Sequence, residues 1–213
     1  MYLRSSVCIF LGIFMLASVH AHANDNKGYV GFEAGYAFAD LRAEQTNREL
    51  VAALGGSVVA TYDKADLNGR ISLGFNITEM IAVEAGYFTT ADLNANYVGV
   101  TGAGLSYTAS ETYSASGLDM FAVFKPSATL EGFFIKFGLH DSEVDGVITA
   151  STAFGTASVS GTASDTGLAF GLGYDWDTGN DNFARLSYVL YSEVGGLTDA
   201  DLGLFNISYN IGF

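Results

Sequence analysis

The chain has 213 residues, with 23 Asp or Glu against nine Lys or Arg and a formal net charge of −14. Such an acidic balance excludes a nucleic-acid partner, because binding phosphate needs clustered Lys and Arg. One proline, one cysteine and 26 glycines beside 12 tyrosines and 16 phenylalanines leave no disulfide framework, and no apolar run past the N-terminus is long enough for a spanning helix.

The N-terminus is a targeting segment. Arg4 is its sole charge, an apolar run follows from Val7 to Val19, and Ala21-His22-Ala23 closes it. A basic start, a short apolar core and an A-x-A site predict a secretory signal peptide over residues 1–23, cleaved after Ala23. The run is too short for a membrane anchor of about 20 apolar residues. Cys8 lies inside it without a lipidation context, so the mature chain, 24–213, carries no cysteine.

Eight segments then alternate at period two. The first sets Val30, Phe32, Ala34, Tyr36 and Phe38 against Gly31, Glu33 and Gly35. The second sets Leu67, Ile71, Leu73, Phe75 and Ile77 against Asn68, Arg70, Ser72 and Gly74. The third opposes Ile81, Val83, Ala85 and Tyr87 to Glu84 and Gly86. In the fourth, Leu118, Met120, Ala122 and Phe124 face away from Gly117 and Asp119, with Phe121 and Val123 blurring the polar side. The fifth has Ile135, Phe137 and Leu139 against Lys136, Gly138 and His140. The sixth has Leu168, Phe170, Leu172, Tyr174 and Trp176 against Gly167, Ala169, Gly171, Gly173 and Asp175. The seventh has Leu186, Tyr188 and Leu190 against Arg185 and Ser187. The last has Phe205, Ile207, Tyr209, Ile211 and Phe213 against Asn206, Ser208 and Asn210.

A soluble sandwich would show water a face rich in Lys, Glu and Thr. Here the polar face is glycine with isolated charges of both signs, as a narrow barrel lumen requires. The apolar face then meets lipid, with Tyr36, Tyr87, Tyr174, Trp176 and Tyr188 placed for an interfacial girdle. Connections at Thr78-Glu79, near Pro126–Leu130 and at Asp177–Asn182 are short, and the intervening ones run to about 20 residues, apart from a short last one at Val194–Asp199. Alternation of that kind matches periplasmic turns and extracellular loops. The predicted fold is all-β, an eight-stranded antiparallel up-and-down transmembrane barrel.

Several stretches resemble one family. GYVGFEAGY, GRISLGFNITEMIAVEAGY, FIKFGLHDSEV and the terminal FNISYNIGF are similar to the OmpA-like and OmpX-like barrels of Gram-negative outer membranes. The resemblance spans Gly28 to Phe213. It implies location in the outer membrane, contact with its lipid and lipopolysaccharide, and a porin-like or cell-surface role. It also implies that Phe205, Ile207, Tyr209, Ile211 and Phe213 form the signal read by the barrel-assembly machinery. A peptidoglycan-binding domain of the OmpA type is not implied.

Six inward charges, Glu33, Arg70, Glu84, Asp119, Lys136 and Arg185, stand at similar depth and sum to zero. They are expected to pair as a plug across the lumen, since unpaired buried charges are costly. Glu33 and Glu84 are expected near Arg70, and Asp119 near Lys136 if the turn between their strands centres on Ser127-Ala128. Rearrangement of that layer would instead make a gate. Asp141, Glu143 and Asp145, and Asp175, Asp177 and Asp181, begin like calcium loops, but Thr152 and Leu186 stand where the closing glutamate belongs. No metal and no cofactor are implied. His140 turns inward beside Ser142 with no assignable acid, so catalysis is not expected. Asn94–Thr108 and Val147–Gly161 are predicted as hairpins rising above the membrane, and Glu44–Leu54 as a short helix ended by Gly55. The expected role is a monomeric, surface-interacting barrel with a ligand the sequence does not name. The alternatives are a narrow passive pore and, third, a lipid-modifying enzyme.

Overall fold

The computed structural model describes residues 28–39, 48, 51–52, 55–62, 65–126, 131–196 and 200–213. The signal segment with Ala21 and Ala23 lies outside them. So does most of the predicted helix, of which Arg48, Val51 and Ala52 are helical. Gly55 ends it with φ 67° and an N–H donated to the Val51 carbonyl.

Ten strand segments follow in chain order: β1 (Gly28–Ala39), β2 (Ser57–Tyr62), β3 (Ala65–Asn76), β4 (Ile81–Thr90), β5 (Leu93–Val100), β6 (Ser106–Phe124), β7 (Phe133–Thr152), β8 (Gly155–Gly179), β9 (Asn182–Tyr191) and β10 (Leu202–Gly212). The eight predicted strands are the staves β1, β3, β4, β6, β7, β8, β9 and β10. All pair antiparallel with their neighbours, and the β6–β7 pairing closes the staves into a ring. First and last strands meet directly, Phe32 across from Tyr209 and Glu33 from Ser208. Closure leaves no unpaired edge at membrane depth, which is the condition for a sheet to sit in hydrocarbon.

The faces sort as alternation requires. Phe137 is 61% exposed and Ile207 64%, with Phe32, Ile71, Tyr87, Leu118, Leu168, Phe170 and the remaining outward large residues also open. A continuous belt of this size has no counterpart on a soluble monomer and demands lipid. The Tyr174 and Trp176 rings meet at a tilt on its rim, their centroids 4.9 Å apart.

Beyond the belt the outward positions change character. On β7 the series Ile135, Phe137, Leu139 gives way to Asp141, Glu143 and Asp145. On β8, Leu172, Phe170, Leu168 gives way to Thr166, Ser164 and Thr162, and on β6, Leu118 gives way to Ser116 and Ser114. Here the predicted hairpins rise. β5 and β6 turn at Thr101–Leu105, β7 and β8 turn at Ala153-Phe154, and β2 adds to β5, making a five-segment sheet β2-β5-β6-β7-β8 beyond the barrel. At the opposite end the β8–β9 connection is tighter than Asp177–Asn182. Only Asn180 and Asp181 lie between the strands, with φ 56° and 64°, the left-handed pair that matches hairpin twist.

The lumen departs from a purely glycine-and-charge lining. Phe121 and Val123 point inward, together with Tyr29, Phe88, Phe134, Val189, Tyr191 and Leu204, all at most 1% exposed. Eight staves enclose only enough room for side chains, so bulk on one stave needs absence of bulk on another. A Cβ on Gly74 would come within 2.0 Å of the Tyr29 ring.

Candidate functional site

Alternation and register bring all six predicted charges into one connected cluster. Glu33 and Arg70 are cross-strand partners on β1 and β3, and the Arg70 Nη1 donates to Glu33 Oε1. The same nitrogen lies 2.9 Å from Glu84 Oε1. Its other edge grips Asp119 as a fork, Nε to Oδ2 at 2.8 Å and Nη2 to Oδ1 at 2.6 Å. Glu84 is the second hub. Its Oε1 receives Lys136 Nζ at 3.1 Å, and its Oε2 receives Arg185 Nη1 at 2.6 Å and the Tyr29 hydroxyl at 2.8 Å. The side chains of all six are fully shielded.

Remaining acceptor capacity is filled by neutral groups. Tyr191 donates to Asp119 Oδ2 at 2.8 Å, and Ser72 and Asn206 donate to the two Glu33 oxygens at 3.3 Å. Two cations also lie over aromatic faces, with Lys136 Nζ 4.6 Å from the Phe121 centroid and Arg185 Cζ 4.3 Å from that of Phe134. Pairing, hydrogen bonding and π faces together meet the desolvation cost of placing these ions inside a barrel. The guanidinium of Arg70 lies against β4 at Gly86, where a Cβ would stand 2.6 Å from Nη2.

One expected pair is not formed. Asp119 stands across from His140, and Lys136 across from Val123. The β6–β7 turn centres later in the chain than Ser127-Ala128, which moves Lys136 to the level of Glu84 and gives Asp119 to Arg70. Asp175, expected on the inward face of its strand and also in a calcium-like run, takes Arg185 through Nε at 2.7 Å and Nη2 at 3.1 Å, with Lys125 Nζ at 3.4 Å. Tyr29 and Tyr191 were overlooked as lumen donors. Extending the period-two series backward from Glu33 and forward from Arg185 reaches both.

Asp141, Glu143 and Asp145 lie within continuous β7 rather than a loop. Among the described residues, no group of three or more His, Cys, Asp or Glu is placed to hold a metal ion. His140 is completely buried. Its Nε2 meets the Ser192 carbonyl at 2.9 Å, its Nδ1 meets Ser142 Oγ at 3.1 Å, and that hydroxyl accepts the Gly195 N–H at 3.1 Å. The three contacts hold the turn at Val194–Gly196 down in the mouth of the barrel. Val194, 4% exposed, joins Ala37, Phe88, Ala115, Tyr191, Leu202 and Leu204 in a buried apolar layer above the charges. At the seam, Phe213 and Gly28 exchange backbone hydrogen bonds of 2.9 Å, and the Phe213 ring meets Phe75 edge-on at 6.1 Å.

A closed eight-stave ring, an outward apolar belt and a lumen lined by paired charge define a small eight-stranded β-barrel of the membrane-spanning kind. No protein-family model matches the chain, and no curated protein matches it in sequence. Solved structures similar to it include the attachment invasion locus protein Ail of Yersinia pestis (16% identity, TM-score 0.44, covering 87% of this chain and 99% of Ail). They also include OprG of Pseudomonas aeruginosa (13%, TM-score 0.46, 86% and 96%) and the N-terminal barrel of OprF from the same organism (14%, TM-score 0.41, 88% and 100%). At these identities the likeness is one of fold.

Proposed function

We propose that the protein is a sealed outer-membrane scaffold that displays its extracellular sheet for surface interaction, with no transport through the lumen. The observation that supports this reading is the pair of seals in series. The Arg70–Glu84 cluster fills the cross-section with ions that satisfy one another, and the Val194 seal lies above it. A solute would have to break several buried ion pairs to pass, at a cost of about 3–5 kcal/mol for each one broken. The surface left for function is the sheet beyond the belt, the usual place for binding on a rigid scaffold. Catalysis is not part of this reading, since His140 and Ser142 are buried and already committed to holding a turn. Lipid and lipopolysaccharide are its surroundings, the barrel-assembly machinery its partner in biogenesis, and a monomer its state within one membrane.

Conductance of the purified, refolded protein in planar bilayers tests the reading. No sustained unitary current is expected, and a large stable current overturns it. The second reading, a narrow passive pore, has one observation in its favour. Asn68, Ser187, Asn206 and Asn210 line one side of the lumen with buried atoms that lack a hydrogen-bond partner among the described residues, and polar atoms of that kind ordinarily hold water. Small currents that rise in Arg70→Ala would favour it.

A further inference from the structure

The barrel has no edge, but the sheet beyond it does. β8 pairs with β7 along its whole upper length, from Gly155 across from Thr152 down to Tyr174 across from Phe133. On its other side, pairing with β9 begins only at Ala169, with the Ser192 N–H reaching the Leu168 carbonyl one step higher. The Val194–Gly196 turn leans on Ala163 and Asp165. Among the described residues nothing pairs with that side from Gly155 to Thr162.

Register tells which groups are offered there. Residues of an antiparallel strand alternate in the side to which they direct both N–H and C=O. Leu168 directs its carbonyl toward β9, and the irregularity in β8 lies far below, at Asp177/Gly179. Thr166, Ser164, Thr162, Ser160, Ser158 and Thr156 therefore point their backbone groups to the open side. Edges of this kind are usually blunted by Lys, Pro, a bulge or a cover. Gly155 to Ser164 contains no charge and no proline, and Val159 and the adjoining turn residue Phe154 are 70% and 83% exposed.

The stretch Thr156-Ala157-Ser158-Val159-Ser160-Gly161-Thr162 reads nearly the same in both directions, with Ala157 and Gly161 the single mismatch. We propose that β8 is a self-recognition strand, adding antiparallel to β8 of a second copy about a two-fold axis at Val159. This rests on the surface-interaction reading and names its partner. In that register Ser158 meets Ser160 of the other copy and Thr156 meets Thr162. These are the residues whose backbone groups face outward, giving about eight new hydrogen bonds. Val159 meets its own counterpart at a close-spaced position, Ala157 meets Gly161, and the contact is isologous. Elsewhere two copies of a chain at net −14 repel, whereas this stretch is neutral.

Direction fixes where the second copy sits. Two barrels in one membrane carry β8 running the same way, and a two-fold axis along parallel strands cannot supply the stagger their bonding needs. Antiparallel pairing requires the other barrel upside down, in a facing membrane. From Leu168 to Gly155 the strand extends about 40 Å at roughly 3.3 Å per residue, enough to present the stretch outside the bilayer. The role is adhesion between like surfaces.

The experiment uses the full barrel refolded into phosphatidylcholine vesicles carrying one of two dyes, with clustering read by dye coincidence. Wild-type vesicles cluster with each other. Ser160→Pro removes an N–H on the open side and none bonded to β7, so the barrel keeps its unheated gel mobility while clustering falls at least tenfold. Val159→Lys and Val159→Glu each abolish self-clustering through like charges at the axis, and vesicles of the two variants cluster with each other. Dispersed wild-type vesicles, or undiminished clustering by folded Ser160→Pro, overturn the proposal. If vesicles stay dispersed while Ser160→Pro abolishes capture of an unrelated protein, the edge serves a foreign strand: the self-pairing falls and the surface-interaction reading stands. Large conductance removes only the sealed-scaffold reading.

Discussion

Arg70 is the residue whose loss discriminates most sharply. Arg70→Ala removes one cation from three carboxylates. Glu84 keeps Lys136, Arg185 and Tyr29. Among the described residues, Asp119 keeps the Tyr191 hydroxyl, and Glu33 keeps Ser72 and Asn206. Two carboxylates are thus left buried with neutral donors alone. Orphaning a buried charge typically costs 3–5 kcal/mol, and the neutral donors that remain recover part of this. The expected loss is about 3 kcal/mol. Arg70→Lys keeps the charge but cannot form the fork to Asp119 and falls between. Adding Glu33→Gln and Asp119→Asn to Arg70→Ala restores at least about 1 kcal/mol, because the orphans are then neutral. Urea unfolding in lipid vesicles measures these three variants against the wild type, read from the fluorescence of Trp176, the single tryptophan, which leaves the lipid interface on unfolding. A loss below about 0.5 kcal/mol for Arg70→Ala, with unchanged gel mobility, refutes the argument that the cluster depends on this guanidinium.

Unheated protein in detergent should migrate differently from boiled protein, because closed barrels resist unfolding; identical migration would contradict membrane-barrel closure. Phe213→Ala removes the Phe75 contact and the last aromatic of the terminal strand. Reduced insertion in cells with periplasmic accumulation is the expected outcome, measured by membrane fractionation. Gly86→Val sets a branched side chain where Arg70 lies, and unfolding experiments should show about 2 kcal/mol of destabilisation. Normal stability of that variant would mean the guanidinium has room to move.

How much could be read beforehand depended on distance along the chain. Inside a stave, period two fixes the face of every residue, so Glu33, Arg70, Glu84, Lys136 and Arg185 were placed inward from residues beside them. Between staves the register depends on the turn, and a shift of the β6–β7 turn moved Lys136 from Asp119 to Glu84. Asp175 lies inward as its phase requires, but its pairing was not legible, because an aspartate near a strand end resembles a turn acid until its arginine is seen across the sheet. The inward aromatics Phe88, Phe134 and Tyr191 were legible in phase but not in purpose, since large residues fit only where glycines oppose them on other staves. The open side of β8 was not legible, because an edge is defined by the strand that fails to arrive.

The change of character along the outer wall has a consequence for where the molecule floats. On β8 the apolar series begins at Trp176 and stops at Leu168, and Leu168 faces Leu139, the last apolar outward residue of β7. Across that span the strand covers about 27 Å at roughly 3.3 Å per residue, reduced to about 20 Å by the tilt of barrel strands. This is a shallow hull. It matches a thin bilayer, and in a thicker one lipid would have to bend inward to meet it or wet Asp141 and Glu143 with hydrocarbon. The acids of β7, with the Ser and Thr beside them on β6 and β8, thus act as a waterline, holding the protruding sheet at one height above the lipid whatever the sheet is bound to.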